Sequence, residues 1–217
     1  MPRFAANVSL MFTELPFLDR FAAAAGAGFR GVECMFPYEA PAADTAERLH
    51  TRRLAQHLLN LPPGAWAKGE RGLTALAGRE AEFAAGLDTA LDYARALGCT
   101  RLHAMAGLTA HGAAEAVFVA NLRRAARRAA PHGVTILIEP INTFDMPGYF
   151  LTRTEDAARI IALVGEPNVG LQLDLYHRHR MQGDAAGAIR DYAPIARHYQ
   201  IAGPPDRGEP DRGDLDF

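Results

Sequence analysis

The chain has 217 residues and a formal net charge of −2, with 23 lysines and arginines against 25 aspartates and glutamates. This balance excludes the basic excess expected of a nucleic-acid-binding protein and the long acidic runs expected of a disordered one. The length is sufficient for one large α/β domain with a sizeable core, and the apolar runs are too short to span a bilayer.

Segments typical of strands and helices alternate along the chain. The predicted strands cover residues 4–10, 29–36, 57–61, 101–105, 134–139, 169–174 and 197–202. The predicted helices cover residues 16–25, 44–53, 79–97, 115–130, 154–164 and 184–192, with Thr154 as the N-cap of the fifth. Residues 62–78, which are rich in glycine and proline, are predicted to form a loop that covers or lines a binding site.

Strict alternation of strands and helices over this length implies a parallel sheet. An open doubly wound sheet usually has a glycine-rich phosphate turn after its first strand, and this chain has none there. We therefore predict an α/β fold in which residues 1–217 form a single TIM-type (β/α)8 barrel, with about seven βα strands and without the eighth unit. The tail after Ala202 is expected to lack regular structure.

The cysteines and the N-terminus indicate the cellular compartment. Cys34 and Cys99 are far apart and are interpreted as small buried apolar residues, because their spacing suits neither a disulfide framework nor a zinc site. The first residues, beginning Met1-Pro2-Arg3-Phe4, do not have the charged and apolar regions of a secretion signal. We expect a cytoplasmic protein that binds neither nucleic acid nor membrane.

The most informative stretch is Ile136-Leu137-Ile138-Glu139-Pro140-Ile141-Asn142. It is predicted to be a buried strand that ends on a carboxylate, with a proline that stops the ladder. A carboxylate at the end of a barrel strand lies at the rim where barrel enzymes place their catalytic groups. The alternative is that Glu139 only caps a neighbouring turn.

Three late strands each carry an oxygen-bearing side chain near their end: Glu139, Asp174 and Gln200. Successive members are about one βα unit apart, so they are predicted to lie side by side on one rim. Two carboxylates and an amide oxygen are ligands suited to Mg²⁺ or Mn²⁺. His177 follows Asp174 by three residues and is interpreted either as a group that binds a substrate oxygen or as an ordinary loop imidazole.

Several short motifs follow one another in the order found in a known family. They are Phe4-Ala5-Ala6-Asn7, Gly31-Val32-Glu33, Asn60-Leu61-Pro62-Pro63-Gly64, Glu70-Arg71-Gly72, Leu102-His103-Ala104-Met105-Ala106-Gly107, Leu137-Ile138-Glu139-Pro140-Ile141-Asn142-Thr143, Pro147-Gly148-Tyr149-Phe150, Asp174-Leu175-Tyr176-His177 and His198-Tyr199-Gln200-Ile201-Ala202. Through these motifs the chain resembles the hydroxypyruvate isomerase family, within the xylose-isomerase-like TIM barrels that also include tagatose epimerases.

The resemblance implies an isomerase that interconverts hydroxypyruvate and tartronate semialdehyde, or a similar small 2-oxo sugar acid. It implies a divalent metal held by Glu139, Asp174, Gln200 and one further glutamate, with Glu139 and that last glutamate as the acid and base. It also implies that His177 and Arg207 bind substrate oxygens, and Asn60 and His103 belong to the matching motifs and are assigned to substrate binding as well.

The sequence departs from the family at its end, because the family's last glutamate lies on strand eight and no residue here matches it. We therefore expect residues 1–217 to be a poor isomerase, and apolar surface next to the missing unit to favour self-association into a homo-oligomer. Two alternatives remain at this point: a non-catalytic barrel remnant that binds a metal or a small acid, and an epimerase or dehydratase of sugar acids on the same barrel.

Overall fold

The computed structural model describes residues 3–217, and its central feature is one curled parallel sheet of seven strands in sequence order. The strands are β1 (Ala5–Asn7), β2 (Gly31–Cys34), β3 (Ala55–Asn60), β4 (Arg101–His103), β5 (Thr135–Ile138), β6 (Val169–Asp174) and β7 (Ala196–Gln200). Met1 and Pro2, part of the N-terminal stretch without a predicted secretion signal, lie outside the described residues.

Helices lie between the strands along the chain. They are α1 (Arg20–Gly26), α2 (Ala42–Arg52), α3 (Glu80–Leu97), α4 (Glu115–Ala129), α5 (Thr154–Val164), α6 (Leu175–Gln182) and α7 (Ala185–Tyr192). No helix within residues 3–217 is long and apolar enough to cross a membrane.

The helix α3 illustrates how the sequence determines these elements. Its residues Phe83, Leu87, Leu91 and Ala94 are buried, and their spacing of three or four residues places them on one side of the helix. The helix ends at Gly98, which adopts a left-handed conformation with φ of 64°, a geometry that glycine adopts without the steric cost of a Cβ.

The curl of the sheet brings distant strands together inside it. Arg101, at the start of β4, donates a hydrogen bond from Nε to the carbonyl oxygen of Arg197 in β7 at 2.9 Å. Within the described residues no backbone ladder joins β7 to β1. The prediction of a barrel with seven βα strands and without the eighth unit is therefore confirmed for residues 3–217.

Several predicted boundaries and caps are wrong. The strands are shorter than predicted at most ends, since their edges depend on where the neighbouring strand stops pairing. Thr154 is the first residue of α5 rather than its N-cap, and its backbone N–H donates to Gln182 Oε1 at 3.1 Å. His177 lies within α6 instead of a loop, because this helix begins directly where β6 ends. Cys34 and Cys99 are buried free thiols, as predicted.

The loop of residues 62–78 is only partly a surface feature. Its second half is packed into the core, with Leu73, Thr74, Ala75 and Leu76 buried. Thr74 donates from its hydroxyl to the carbonyl oxygen of Met105 at 2.8 Å, which ties the loop to the segment that follows β4. The buried part is therefore a fixed wall of the fold, whereas residues 62, 64–71, 77 and 78 are partly or fully exposed.

Candidate active site

The carboxyl ends of the strands meet at one rim of the sheet. Asn60 and His103 are paired in register at the ends of β3 and β4, and Asp174 and Gln200 are paired at the ends of β6 and β7. Glu139 follows the last residue of β5 directly. All the residues singled out on strands therefore converge on this rim.

Glu139 lies between two imidazoles and beside a second carboxylate. Its Oε2 is 3.5 Å from Nδ1 of His103, and its Oε1 is 3.9 Å from Nε2 of His177. Only 5% of the residue is exposed. Burial raises the pKa of Glu139 well above its ordinary value, the charge of Asp174 raises it further, and Arg207 acts in the opposite direction. A raised pKa favours the protonated form, so this carboxyl group is able to give as well as take a proton.

Asp174 has two roles, one for each oxygen. Oδ1 accepts hydrogen bonds from the backbone N–H groups of Tyr176 at 2.8 Å and His177 at 3.3 Å, which makes Asp174 the N-cap of α6. Oδ2 lies 3.7 Å from His177 Nε2 and faces the rim. The cap fixes the carboxylate in place, since the oxygen that holds the helix also sets the direction of the other.

The orientation of His177 is fixed by Asn142, which is fully buried. Asn142 Oδ1 accepts from the backbone N–H groups of Phe144 and Asp145, so its amide nitrogen must face His177. That nitrogen is 2.7 Å from His177 Nδ1, which therefore acts as the acceptor. Burial lowers the pKa of His177. The neutral ring thus carries its proton on Nε2, directed at the carboxylates of Glu139 and Asp174.

His103 is the most deeply buried titratable group at the rim. Burial lowers its pKa to about 3, and the nearby His177 and His198 add to this effect. Neither ring nitrogen of His103 has a hydrogen-bond partner among the described residues. A buried imidazole without partners is costly in a protein interior, and it is available to a ligand oxygen.

Asn60 lies beside His103 but is not drawn into the carboxylate cluster. It is buried, and its backbone carbonyl accepts a hydrogen bond from the hydroxyl of Tyr38. Within residues 3–217 no hydrogen bond joins the Asn60 side chain to Glu139 or Asp174. Its assignment to substrate binding therefore depends on its place at the rim.

Gln200 reaches the cluster through a second amide, that of Gln172. The Nε2 of Gln172 donates to Gln200 Oε1 at 2.7 Å, and Gln172 also lies close enough to Glu139 to counter the rise of its pKa. Gln172 is 2% exposed, and its own Oε1 has no partner among the described residues. The two amides thus form a short polar chain next to the two carboxylates.

Arg207 approaches the rim from the segment after β7. Its Nη2 is 3.3 Å from Asp174 Oδ2, and its guanidinium carbon lies 5.3 Å from the centre of the Tyr176 ring. The Tyr176 hydroxyl donates to the carbonyl oxygen of Pro205 at 3.2 Å, which holds the segment against α6. A fixed guanidinium at this position can bind a carboxylate in two-point fashion.

The residues present fit a hard divalent cation. Potential ligand atoms of Glu139, Asp174 and His177 all lie within 4.8 Å of one another. Since Nε2 of His177 carries the proton of the neutral ring, the two carboxylates are the ligands that this cluster offers. Two buried carboxylates side by side repel each other, which is the arrangement that a cation relieves.

Sequence reasoning missed three residues that organise the site: Asn142, Gln172 and Glu33. Asn142 and Glu33 stand within the motifs quoted above, but nothing in a motif states which neighbour a side chain contacts. Gln172 alternates with Leu171 and Leu173 in β6. A polar residue in an otherwise apolar buried strand was the one available signal for it.

Comparison with known proteins agrees with the fold and the site. Residues 21–217 match the family described as Xylose isomerase-like TIM barrel. The chain is 53% identical over its whole length to a 2-oxo-tetronate isomerase of Cupriavidus necator, covering 85% of that protein. It is 43% identical to a hydroxypyruvate isomerase of Escherichia coli, again over its whole length and covering 86% of that protein.

Solved structures give the same result. A crystal structure from Brucella melitensis, described as an AP endonuclease of family 2, is 51% identical and superposes with a TM-score of 0.97 over all of this chain and 85% of that one. A 3-keto-D-glucoside 4-epimerase from Escherichia coli superposes with a TM-score of 0.81 at 18% identity, over all of this chain and 84% of that one, which is a likeness of fold. The chain belongs to the xylose isomerase-like TIM barrel family.

Proposed function

We propose that this chain is an isomerase of small 2-oxo acids. The specific reaction proposed is the interconversion of hydroxypyruvate and tartronate semialdehyde, or the corresponding reaction of a 2-oxo-tetronate. The names of the two relatives at 53% and 43% identity support this substrate class. The assignment of roles to single residues rests on the geometry of the rim.

The observation that carries the proposal is the environment of Glu139. This carboxyl group is buried, its pKa is raised, and neutral imidazoles lie 3.5 Å and 3.9 Å from its two oxygens. An isomerase of this kind needs a base that removes a proton from carbon and an acid, the same group or an opposed one, that returns a proton to the neighbouring carbon. A buried carboxyl group held between two neutral imidazoles is positioned to take up such a proton.

The proton transfer is proposed to run as follows. Glu139 takes the proton from the hydroxyl-bearing carbon of the substrate, which leaves an enediolate. The proton then returns to the adjacent carbon, which becomes the new secondary alcohol, while the hydroxyl proton moves to the former carbonyl oxygen. His177, with its proton on Nε2, and His103, with no protein partner of its own within the described residues, are suited to hold these two oxygens during the transfer.

Arg207 is proposed to bind the carboxylate that all 2-oxo acids carry. A guanidinium held over Tyr176 loses little conformational entropy when it binds, since its position is already set. Glu139, Asp174 and Gln200 would hold a divalent ion, Mg²⁺ or Mn²⁺, which would supply Lewis-acid stabilisation of the negative charge on the substrate oxygens.

A matched pair of histidine variants tests this assignment. His177→Gln should lower hydroxypyruvate turnover by about 10²-fold or more, because a positioned acid–base or hydrogen-bonding group contributes on that scale. His179→Gln, on the same helix but outside the carboxylate cluster, should leave turnover unchanged.

The substrate class is tested in parallel with hydroxypyruvate, a 2-oxo-tetronate, a neutral ketose and a duplex containing an abasic site. The proposal requires turnover of at least one 2-oxo acid. Epimerisation of the ketose alone, or cleavage of the duplex alone, would overturn it.

The second carboxylate of the family mechanism has no match in this chain. We therefore expect residues 1–217 to turn over hydroxypyruvate about 10²–10⁴-fold more slowly than the same chain extended through an eighth strand with a terminal glutamate. Equal rates would mean that the second proton-transfer group lies within residues 1–217.

A further inference from the structure

Glu33, in the middle of the interior of the sheet, has no part in the proton transfer described above. It lies on β2 and is 5% exposed. Its Oε1 accepts hydrogen bonds from Asn7 Nδ2 at 2.9 Å and from Gln200 Nε2 at 2.5 Å. Its Oε2 lies 2.6 Å from His198 Nε2. Within the described residues, every hydrogen bond of this carboxylate is thus to a polar side chain of the first or the last strand.

The contact with Gln200 determines which way that amide faces. Glu33 Oε1 accepts from both Asn7 Nδ2 and Gln200 Nε2, so the NH₂ group of Gln200 is directed at Glu33. The carbonyl oxygen of Gln200 is then directed the opposite way, toward Gln172, from which it accepts at 2.7 Å. Glu33 and Gln172 therefore favour the same orientation from the two ends of the amide, Glu33 as acceptor and Gln172 as donor.

The same carboxylate joins strands that no backbone ladder joins. Glu33 contacts Asn7 on β1 and both Gln200 and His198 on β7, across the side of the sheet where β1 and β7 do not pair within the described residues. At the rim, β7 is therefore held on one side by backbone pairing with β6 and on the other side by the hydrogen bonds of Glu33.

We propose that Glu33 is the positioning residue for Gln200: it turns the amide oxygen of Gln200 toward the cation site and holds the end of β7 at the distance that ligation needs. The proposal rests on the proposed function, in which Gln200 is one of the metal ligands. Glu33 acts through Gln200, and its effect should therefore appear in the affinity for the cation and disappear when Gln200 is removed.

The experiment measures Mn²⁺ affinity from the electron paramagnetic resonance signal of the free ion, on residues 1–217. Glu33→Leu removes both acceptor oxygens at similar volume, and we expect it to weaken Mn²⁺ binding by about 10–100-fold, the usual effect of losing a partner that orients a metal ligand. Glu33→Gln keeps one acceptor oxygen for Gln200 and should stay within about threefold of the unchanged chain, on the same scale. The control is Glu47→Gln, an exposed glutamate of α2, which should have no effect.

A double-mutant cycle separates this inference from the proposed function. Gln200→Ala alone should weaken Mn²⁺ binding, and Glu33→Leu added to it should weaken binding no further. If Gln200→Ala binds Mn²⁺ as well as the unchanged chain, the proposed metal site is wrong. If Gln200→Ala weakens binding but Glu33→Leu does not, the metal site stands and the positioning role of Glu33 is wrong.

Folding is monitored by thermal unfolding without added metal. If Glu33→Leu fails to fold, Glu33→Asp takes its place, because it withdraws the acceptor by one methylene while keeping the charge. Mn²⁺ affinity unchanged in a folded Glu33→Asp chain would then overturn the proposal, and a loss of about tenfold or more would support it.

Discussion

Replacing Glu139 by glutamine should lower activity and raise stability at the same time. The substitution preserves the shape of the side chain and removes its charge. Turnover of a 2-oxo acid should fall by about 10²–10⁴-fold, because the amide cannot take up the proton. The free energy of unfolding should rise, because the buried carboxylate beside Asp174 destabilises the folded protein whenever it is ionised.

The sign of the pH dependence follows from the raised pKa of Glu139. The folded protein holds this proton above the ordinary carboxyl value of 4.5, whereas the unfolded chain has already lost it. The folded state therefore loses stability as pH rises from about 4.5 toward the raised pKa in the native state. Glu139→Gln is free of this loss, so the difference in melting temperature between the variant and the unchanged chain should grow with pH.

Two measurements test this prediction, both with the exposed Glu14→Gln as control. Thermal unfolding without added metal is followed from pH 4.5 to 8, and turnover is measured with the metal present. A variant that retains activity within a few-fold would remove Glu139 from the proton transfer. A variant that is less stable than the unchanged chain at every pH would show that the burial of this carboxylate is not a net cost.

Three further predictions concern Asp174, His103 and Phe118. Asp174→Asn keeps a cap oxygen for α6 but removes the charge, so it should abolish Mn²⁺ binding at little cost in stability, whereas Asp174→Ala should lose about 1 kcal/mol more by denaturant unfolding. His103 stays neutral in the folded state down to about pH 3, while the unfolded imidazole protonates near 6.5. Acidification through this range should destabilise the unchanged chain relative to His103→Gln by up to about 5 kcal/mol. The free energy of unfolding of both proteins is measured by urea titration at pH 7 and pH 4, and a difference between them that is the same at both pH values would refute this. Phe118 is fully buried and packs edge-on against Phe150, so Phe118→Ala should lower the free energy of unfolding by about 3–5 kcal/mol. A clearly smaller loss would indicate that the core closes around the gap.

The order of strands and the convergence of Glu139, Asp174 and Gln200 were predictable because both follow from one-dimensional patterns. Buried parallel strands appear in the sequence as apolar runs, and a spacing of about one βα unit places successive strand ends on the same rim. The helix α6 was not predictable in this way. Its sequence, from Leu175 to Gln182, is largely polar and has no apolar stripe. It is held by the Asp174 cap and by docking at the rim, which a pattern of hydrophobicity does not register.

The wrong prediction for Thr154 has a different physical cause. A threonine before acidic residues is a good local signal for an N-cap, but the backbone N–H of Thr154 is satisfied by Gln182, on another helix. The orientation of the Gln200 amide could not be predicted for the same reason, because the amide contacts Gln172 and also Glu33, which lies 167 residues away in the chain. Contacts between distant segments leave no mark in the local sequence.

In the strands of this sheet, side chains alternate between an apolar face that stabilises the fold and a polar face that forms the candidate site. In β6 the side chains of Leu171 and Leu173 belong to the core between sheet and helices, whereas Gln172 and Asp174, which alternate with them, meet polar groups in the interior. Ile136 and Ile138 in β5 likewise belong to the core, and Glu139 continues the other face. Because successive residues of a strand point to opposite faces, the outer face can supply the apolar burial that the fold needs while the inner face accepts charged and polar groups. Truncation of the outer leucines should therefore reduce stability with little direct effect on the site, and substitution of the inner residues should alter proton transfer and cation binding while the fold persists.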